Sequence, residues 1–209
     1  MTTIDDGVIK FSLFNQERPL PDGINLIKAL EQWRKKLYQL EFIGEYKAEK
    51  VGFGNLSCLT TDRGRADKPE FLITGTQTGH LPDLNEDYYT IVYDYDLLKN
   101  TIYSEGPMKP SSESLTHAAI YLANPKIKAV FHGHHKSIWQ AMIKENYPST
   151  GETIPYGTIN MAVATQDLVY KNSTGIFVMK GHEDGIVAWG ENLDQAGERL
   201  LEVYHKFQR

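Results

Sequence analysis

Two histidines one residue apart, His132 and His134, follow the apolar run Ile127–Phe131. Alternate residues on a strand point to the same side, so both imidazoles face one spot. Neutral imidazole is a favoured ligand of zinc and its neighbours, which makes the pair the start of a metal site. A third histidine, His182, also follows a strand-like run, Ile176–Lys180, and sits in a turn flanked by Gly181 and Gly185. Read singly, these are core or surface histidines and a turn residue. Read together, they offer three nitrogens at strand ends, enough to hold a divalent ion with a position left open.

Two other His-x-His arrangements do not fit. A cupin carries a Glu after three or four further residues, where this chain has Ile138 and Trp139. A metallo-β-lactamase continues with x-Asp-His, and here His135-Lys136-Ser137 follows.

The second signal is Pro110-Ser111-Ser112-Glu113 at the start of a predicted helix. A helix N-terminus carries free N–H groups and the positive end of the dipole, a seat for phosphate to which two hydroxyls add donors. The plainer account is a serine cap with a glutamate in the first turn. Upstream, Gly52-Phe53-Gly54-Asn55-Leu56-Ser57 and Thr74-Gly75-Thr76-Gln77-Thr78-Gly79 offer backbone N–H groups and short polar side chains. Such loops can cradle an anion, though each by itself is only a turn signal.

The elements that must position these residues follow from periodicity. Residues 8–14 alternate as a strand. Asp22 or Asn25 caps a helix reaching about Leu40, with Ile27, Leu30, Trp33, Leu37 and Leu40 on one stripe. Phe71–Thr74, Tyr88–Asp94 and Asn100–Ser104 read as strands, the last two as a hairpin. The helix opened by Pro110 buries Leu115, Ala118, Ala119 and Leu122 and ends at Asn124-Pro125. A helix follows over Lys136–Lys144, then strands Gly175–Lys180 and Gly185–Trp189. A last helix runs from about Leu193, with Ala196, Leu200, Val203 and Phe207 on one side. Helices among short antiparallel strands predict an α/β fold, a single-domain three-layer α/β/α sandwich with a mostly antiparallel central sheet. One domain spans 1–209, its core about 25–205 and residues 1–24 an N-terminal strand extension.

Bulk properties narrow the partners. The 209 residues carry a net charge of −5 and no Lys/Arg block, which argues against nucleic acid. The one cysteine, Cys58, permits no intrachain disulfide and suits a reducing compartment. The first residues lack a leader's basic start and apolar core, and no run approaches membrane length, so the expectation is a cytoplasmic protein with no membrane partner.

In order, these motifs resemble the class II aldolase/adducin family over roughly residues 25 to 205. They are Gly-Asn-x-Ser, Ile-Thr followed by Thr-Gly, Pro-Ser-Ser-Glu, a helix, Asn-Pro, a Val-Phe-His-x-His strand end, and a late Gly-His before a strand ending Ala-Trp-Gly. The resemblance is closest to L-fuculose-1-phosphate aldolases. It implies a divalent metal, zinc above others, on His132, His134 and His182, with Glu113 as acid/base that also touches the metal. It implies a substrate phosphate held by Gly54, Asn55, Thr78, Gly79, Ser111 and Ser112. The activity implied is a lyase cleaving or forming a C–C bond of a ketose phosphate through a metal-stabilised ene-diolate, in a homotetramer.

Related activities use similar apparatus. Ribulose-phosphate 4-epimerases resemble Pro-Ser-Ser-Asp where Glu113 stands, and methylthioribulose-phosphate dehydratases show Ser-Ala at Ser111-Ser112. Adducin-like modules have lost the ligands present here. This chain also departs from the aldolase pattern. Thr-Gly is lengthened, leaving Thr76 and Thr78 as alternatives, and a Glu-Asp pair separates His182 from Gly185. The C-terminal-tail tyrosine of those aldolases has no counterpart after the last helix. Tyr204 reads as a packed residue, and Tyr147 and Tyr156 are candidates for protonating the leaving aldehyde.

Overall fold

The computed structural model describes residues 7–21, 25–60 and 68–208. Its elements are β1 (Ser12–Glu17), α1 (Leu26–Gln39), β2 (Gly44–Tyr46), β3 (Val51–Phe53), β4 (Asn55–Leu59), β5 (Phe71–Thr74), β6 (Tyr89–Asp96) and β7 (Thr101–Gly106). After these come α2 (Ser114–Ala123), β8 (Ala129–His134), α3 (Lys136–Lys144), α4 (Ile159–Val169), β9 (Gly175–Val178), β10 (Gly185–Gly190) and α5 (Leu193–Phe207). Eight strands form one sheet in the order β1-β7-β6-β5-β4-β8-β10-β9, and β2 and β3 make a separate ribbon. Among the described strands only β1 and β7 run parallel; the other pairings are antiparallel.

The layering follows from side-chain alternation. On β8, Val130 packs with Leu115 and Ala119 of α2 and Met161 of α4. Its neighbours Ala129 and Phe131 pack with Leu30 and Leu37 of α1, Ile138 of α3 and Leu200 of α5. Two helices therefore cover one face and three the other, the expected α/β/α sandwich. α2 is buried from Ser114 through Tyr121, not on one stripe, because α4 covers the side turned away from the sheet.

Several boundaries differ from the periodicity reading, each for a physical reason. β1 starts at Ser12 because pairing with β7 begins at Ser12↔Thr101. α2 starts four residues after Pro110, since Pro110 bridges Gly75 and the Ser111 N–H donates to the Thr74 carbonyl at 3.1 Å. The stretch 52–57, read as a Gly-rich loop, is the end of β3, a turn at Gly54 and the start of β4. Gly54 has φ +83, and a Cβ there would lie 2.9 Å from the Phe42 carbonyl oxygen. The helix α4 is one that the apolar spacing does not announce. Asn25 stands before α1 without a side-chain cap bond, and Asp22 lies outside the described residues.

The stripe on α1 also holds a feature hidden from periodicity. Arg34 is 1% exposed. Its guanidinium donates to the carbonyls of Thr78 at 2.9 Å, Leu81 at 2.7 Å and Pro82 at 3.3 Å. Glu31, one turn earlier, accepts from Leu84 N–H at 2.9 Å and Tyr89 OH at 2.6 Å. Together the two side chains fasten the loop between β5 and β6 to α1. Arg34→Leu retains bulk but strips three carbonyls of their donor and leaves the buried Glu31 carboxylate without a nearby cation, a change expected to cost about 3–5 kcal/mol. Urea unfolding measures it; a loss below about 1 kcal/mol, the size of an exposed ion pair, would contradict the anchoring role.

Candidate metal centre and anion seat

β8 lies between β4 and β10, with Asn55 and Val187 opposite His132. His132 and His134 share the parity of Val130, so both rings leave the sheet on the α2 side. The His132 Nδ1 faces the Ile186 carbonyl at 3.1 Å. A carbonyl only accepts, so Nδ1 carries the proton and Nε2 presents a lone pair. His134 Nδ1 meets the Tyr46 hydroxyl at 2.9 Å, and the two Nε2 atoms approach to 2.9 Å.

His182 comes from the turn between β9 and β10. Its ring centroid is 5.4 Å from that of His132 and 4.7 Å from that of His134. Candidate ligand atoms of the three all lie within 4.8 Å of one another. Two glycines make the turn possible: a Cβ at Gly181 would sit 2.2 Å from the Ile154 carbonyl oxygen, and one at Gly185 2.8 Å from His182 Cδ2.

Burial disfavours the charged form of all three imidazoles. It pushes His132 down to about 4. It takes His134 and His182 well below the usual histidine value, since protonating either would also set it against its neighbouring imidazoles. Neutral imidazoles with converging nitrogens are the donor set that a zinc-like ion takes, and the bonds to Ile186 and Tyr46 fix the ring orientations. Glu113, 3% exposed, brings Oε1 to 3.7 Å from His182 Nε2. Its other oxygen accepts from Thr116 Oγ1 at 2.8 Å, which steadies the carboxylate at the start of α2.

Beside the histidines is a narrow cleft. Gly54, Asn55, Ser111, Ser112 and Glu113 line it with the three histidines. Thr76 N–H donates to the Lys109 carbonyl at 3.0 Å, which lays the Gly75–Gln77 loop against the serine turn. Asn55 is 6% exposed, yet its carboxamide oxygen is buried and meets no hydrogen-bond donor among the described residues. A buried acceptor left this way is costly unless a ligand or water completes it.

Thr78 and Gly79 are held elsewhere. Thr78 Oγ1 donates to the Gly75 carbonyl at 2.9 Å, and its own carbonyl accepts from Arg34. Gly79 is pressed against the β2–β3 ribbon, where a Cβ would lie 2.3 Å from the Gly44 carbonyl oxygen. Thr76 and Gln77 occupy the cleft side of that loop. Of the tyrosines, Tyr156 lines the cleft. Tyr147 packs on Phe207, with its hydroxyl accepting from Lys206. Tyr204 packs on Phe42. Tyr46, which orients His134, is invisible to sequence reasoning because its strand of three residues is too short to show a period.

Comparison with known proteins gives the family and the fold. Residues 40–208 match the family described as Class II Aldolase and Adducin N-terminal domain. The fold is similar to that of YgbL from Escherichia coli, with TM-score 0.65 and 22% identity over 88% of this chain and 86% of that one. It is also similar to an L-fuculose 1-phosphate aldolase, with TM-score 0.63 and 20% identity over 89% and 86%. The L-fuculose-1-phosphate aldolase of Thermus thermophilus gives TM-score 0.57 and 20% identity over 88% and 87%. With the family matched over most of its length, and its fold shared with these structures, this chain belongs to the class II aldolase and adducin family.

Proposed function

We propose that the protein is a divalent-metal-dependent aldolase that cleaves or forms a C–C bond of a ketose phosphate, with zinc on His132, His134 and His182. The observation that carries this reading is the convergence of three buried, neutral imidazoles beside the Glu113 carboxylate at the mouth of a polar cleft. An adducin-like module without chemistry has no use for such a set, since burying polar groups costs stability.

A divalent ion on these nitrogens supplies Lewis-acid polarisation of the substrate's carbonyl and hydroxyl oxygens. The chain's own residues do the rest. Ser111, Ser112, Asn55 and Gly54 take the phosphate beside the start of α2. Of the loop after β5, Gly75, Thr76 and Gln77 line the cleft, whereas Thr78 and Gly79 face Arg34 and the β2–β3 ribbon. Glu113 exchanges the proton at the carbon next to the carbonyl: it removes the proton in the condensation direction and returns it after cleavage. Fixing both ends of the substrate holds that carbon against the carboxylate. The glutamate at 113, rather than aspartate, and the intact serine pair favour the aldolase over epimerase and dehydratase relatives.

The proposal includes a homotetramer in the cytoplasm. Two observations are compatible with that location: Cys58 is buried and free, and no described helix is long and apolar enough to cross a membrane.

The purified protein is expected to carry close to one divalent ion per chain, with the three histidine nitrogens about 2.0–2.1 Å away if it is zinc. Elemental analysis of His182→Ala checks the third ligand, and full occupancy in that variant would remove it from the set. For the chemistry, Glu113→Gln keeps shape and hydrogen bonding while removing the base. Solvent deuterium exchange at the carbon next to the carbonyl of bound dihydroxyacetone phosphate should slow by ~10²–10⁴-fold, with metal content little changed. Equal exchange in both proteins would reduce Glu113 to a helix-start carboxylate. No exchange in the wild type across a panel of ketose phosphates would favour the non-catalytic module.

A further inference from the structure

His132 and His134 differ in what stands behind the nitrogen turned away from the cluster. Behind His132 is the Ile186 carbonyl, 3.1 Å from Nδ1. A carbonyl accepts and never donates, so the proton of this ring is fixed on Nδ1 and Nε2 presents a lone pair. Behind His134 is the Tyr46 hydroxyl, 2.9 Å from Nδ1. A hydroxyl can donate to that nitrogen or accept from it, which leaves both tautomers of His134 open.

The front of the pair makes the difference matter. The two Nε2 atoms are 2.9 Å apart, at hydrogen-bonding distance. Both rings are neutral, because burial disfavours their charged forms. Two neutral nitrogens this close cannot both present lone pairs unless a cation stands beside them. Without a cation, a proton must lie between the two. His132 cannot supply it, since its one proton is on Nδ1. His134 can, as the Nε2–H tautomer, and its Nδ1 then accepts from Tyr46. With a cation held on both Nε2 atoms, that proton has no room. His134 must then be the Nδ1–H tautomer and donate to the Tyr46 oxygen.

The mounting of Tyr46 suits a partner that stays in place while its hydroxyl turns. Tyr46 lies on β2 opposite Val51 of β3, with its ring 4.7 Å from that of Phe53. Phe53 in turn lies 5.3 Å from the His134 ring. The ribbon is tied to its surroundings on both strands. On β3 the Gly52 N–H donates to Gln77 Oε1 at 2.9 Å. Just before β2 the Phe42 carbonyl accepts from the His134 N–H, also at 2.9 Å. A backbone bond, a ring contact and the hydroxyl itself thus join the ribbon to this one ligand.

We propose that Tyr46 is a positioning residue acting as a two-way hydrogen-bond partner, donating to His134 in the ion-free protein and accepting from it in the ion-bound protein. His132 keeps one tautomer throughout. The His134 ring stays neutral: Nε2 yields a proton to water, Nδ1 takes one up, and Tyr46 keeps its own proton while the O–H rotates. The short Nε2–Nε2 approach is then a hydrogen bond in one state and a pair of ligands in the other, so the ligands stay gathered in both. This rests on the metal-centre reading given above and adds where the protons of the ligands sit.

The test uses the full-length protein with nitrogen-15-labelled histidine, stripped with a chelator and titrated with zinc ion. Two-bond proton–nitrogen correlation spectra distinguish the tautomers, with resonances assigned by single histidine substitutions. In the stripped wild type, His132 should be the Nδ1–H tautomer and His134 the Nε2–H tautomer. One equivalent of zinc should convert His134 to Nδ1–H and leave His132 unchanged. Tyr46→Phe keeps the ring against Phe53 but removes the acceptor for that Nδ1–H. Its zinc affinity, measured by chelator competition, should fall about 10–100-fold, as for loss of a partner behind a metal-binding histidine. The same His134 tautomer with and without zinc would overturn the proposal and leave the metal centre standing. Tyr46→Phe protein that binds zinc as tightly as the wild type would overturn it equally. If the variant does not fold, the wild-type spectra alone decide. Wild-type protein that takes up no zinc or other divalent ion would remove the metal-centre reading, and this proposal with it.

Discussion

Pairing of β8 on both edges is the constraint from which the site follows. With β4 on one side and β10 on the other, the register is fixed at Asn55↔His132↔Val187. The alternation of Ala129, Val130 and Phe131 between two apolar layers fixes which face each later residue takes. A slip of one residue would drive Phe131 toward α2 and carry both histidines to the opposite face, so core packing and ligand geometry are enforced by the same hydrogen bonds. The His182 turn is tied to this register as well, because β10 begins at Gly185, directly opposite His134.

The polar groups behind the histidines show what the core gives up to accommodate them. Ser57, on β4, meets His117 Nδ1 and the Tyr121 hydroxyl, each at 2.7 Å, deep under α2. Burial holds His117 neutral, as it does the three site histidines. With these imidazoles uncharged, a cation at the convergence of the nitrogens meets lone pairs rather than repulsion. Glu113 sits beside them at the last residue before α2, where the helix dipole favours a negative charge. The cluster thus combines neutral imidazoles, which would leave a bound ion's charge undiminished, with a carboxylate beside them.

Legibility in the sequence followed length and repetition. β5 and α3 fall where periodicity puts them, and the late strand–turn–strand carrying His182 is plain from its glycines. The histidines and the Pro-Ser-Ser-Glu run are readable because the chemistry resides in residue type and short spacing. Elements of three residues, β2 and β3, give no period to detect, and with them Tyr46 is hidden. The two Thr-Gly pairs cannot be separated from sequence either. What separates them is Arg34, forty-four residues away in sequence from the Thr78 carbonyl it binds, and a long-range bond of that kind leaves no local trace.

Three degrees of constraint surround the cleft. His132, His134 and Asn55 stand on the middle strands of the sheet, where both edges are paired. The Gly75–Gln77 loop is one step removed, fastened to the serine turn through Lys109 and continuing into Thr78, which Arg34 ties to α1. The Gly7–Lys10 segment is a further step out, gripped by one tyrosine hydroxyl and the start of an edge strand. A metal centre tolerates little displacement of its ligands. With the candidate ligands on the most constrained backbone, the outer segment can change without disturbing them.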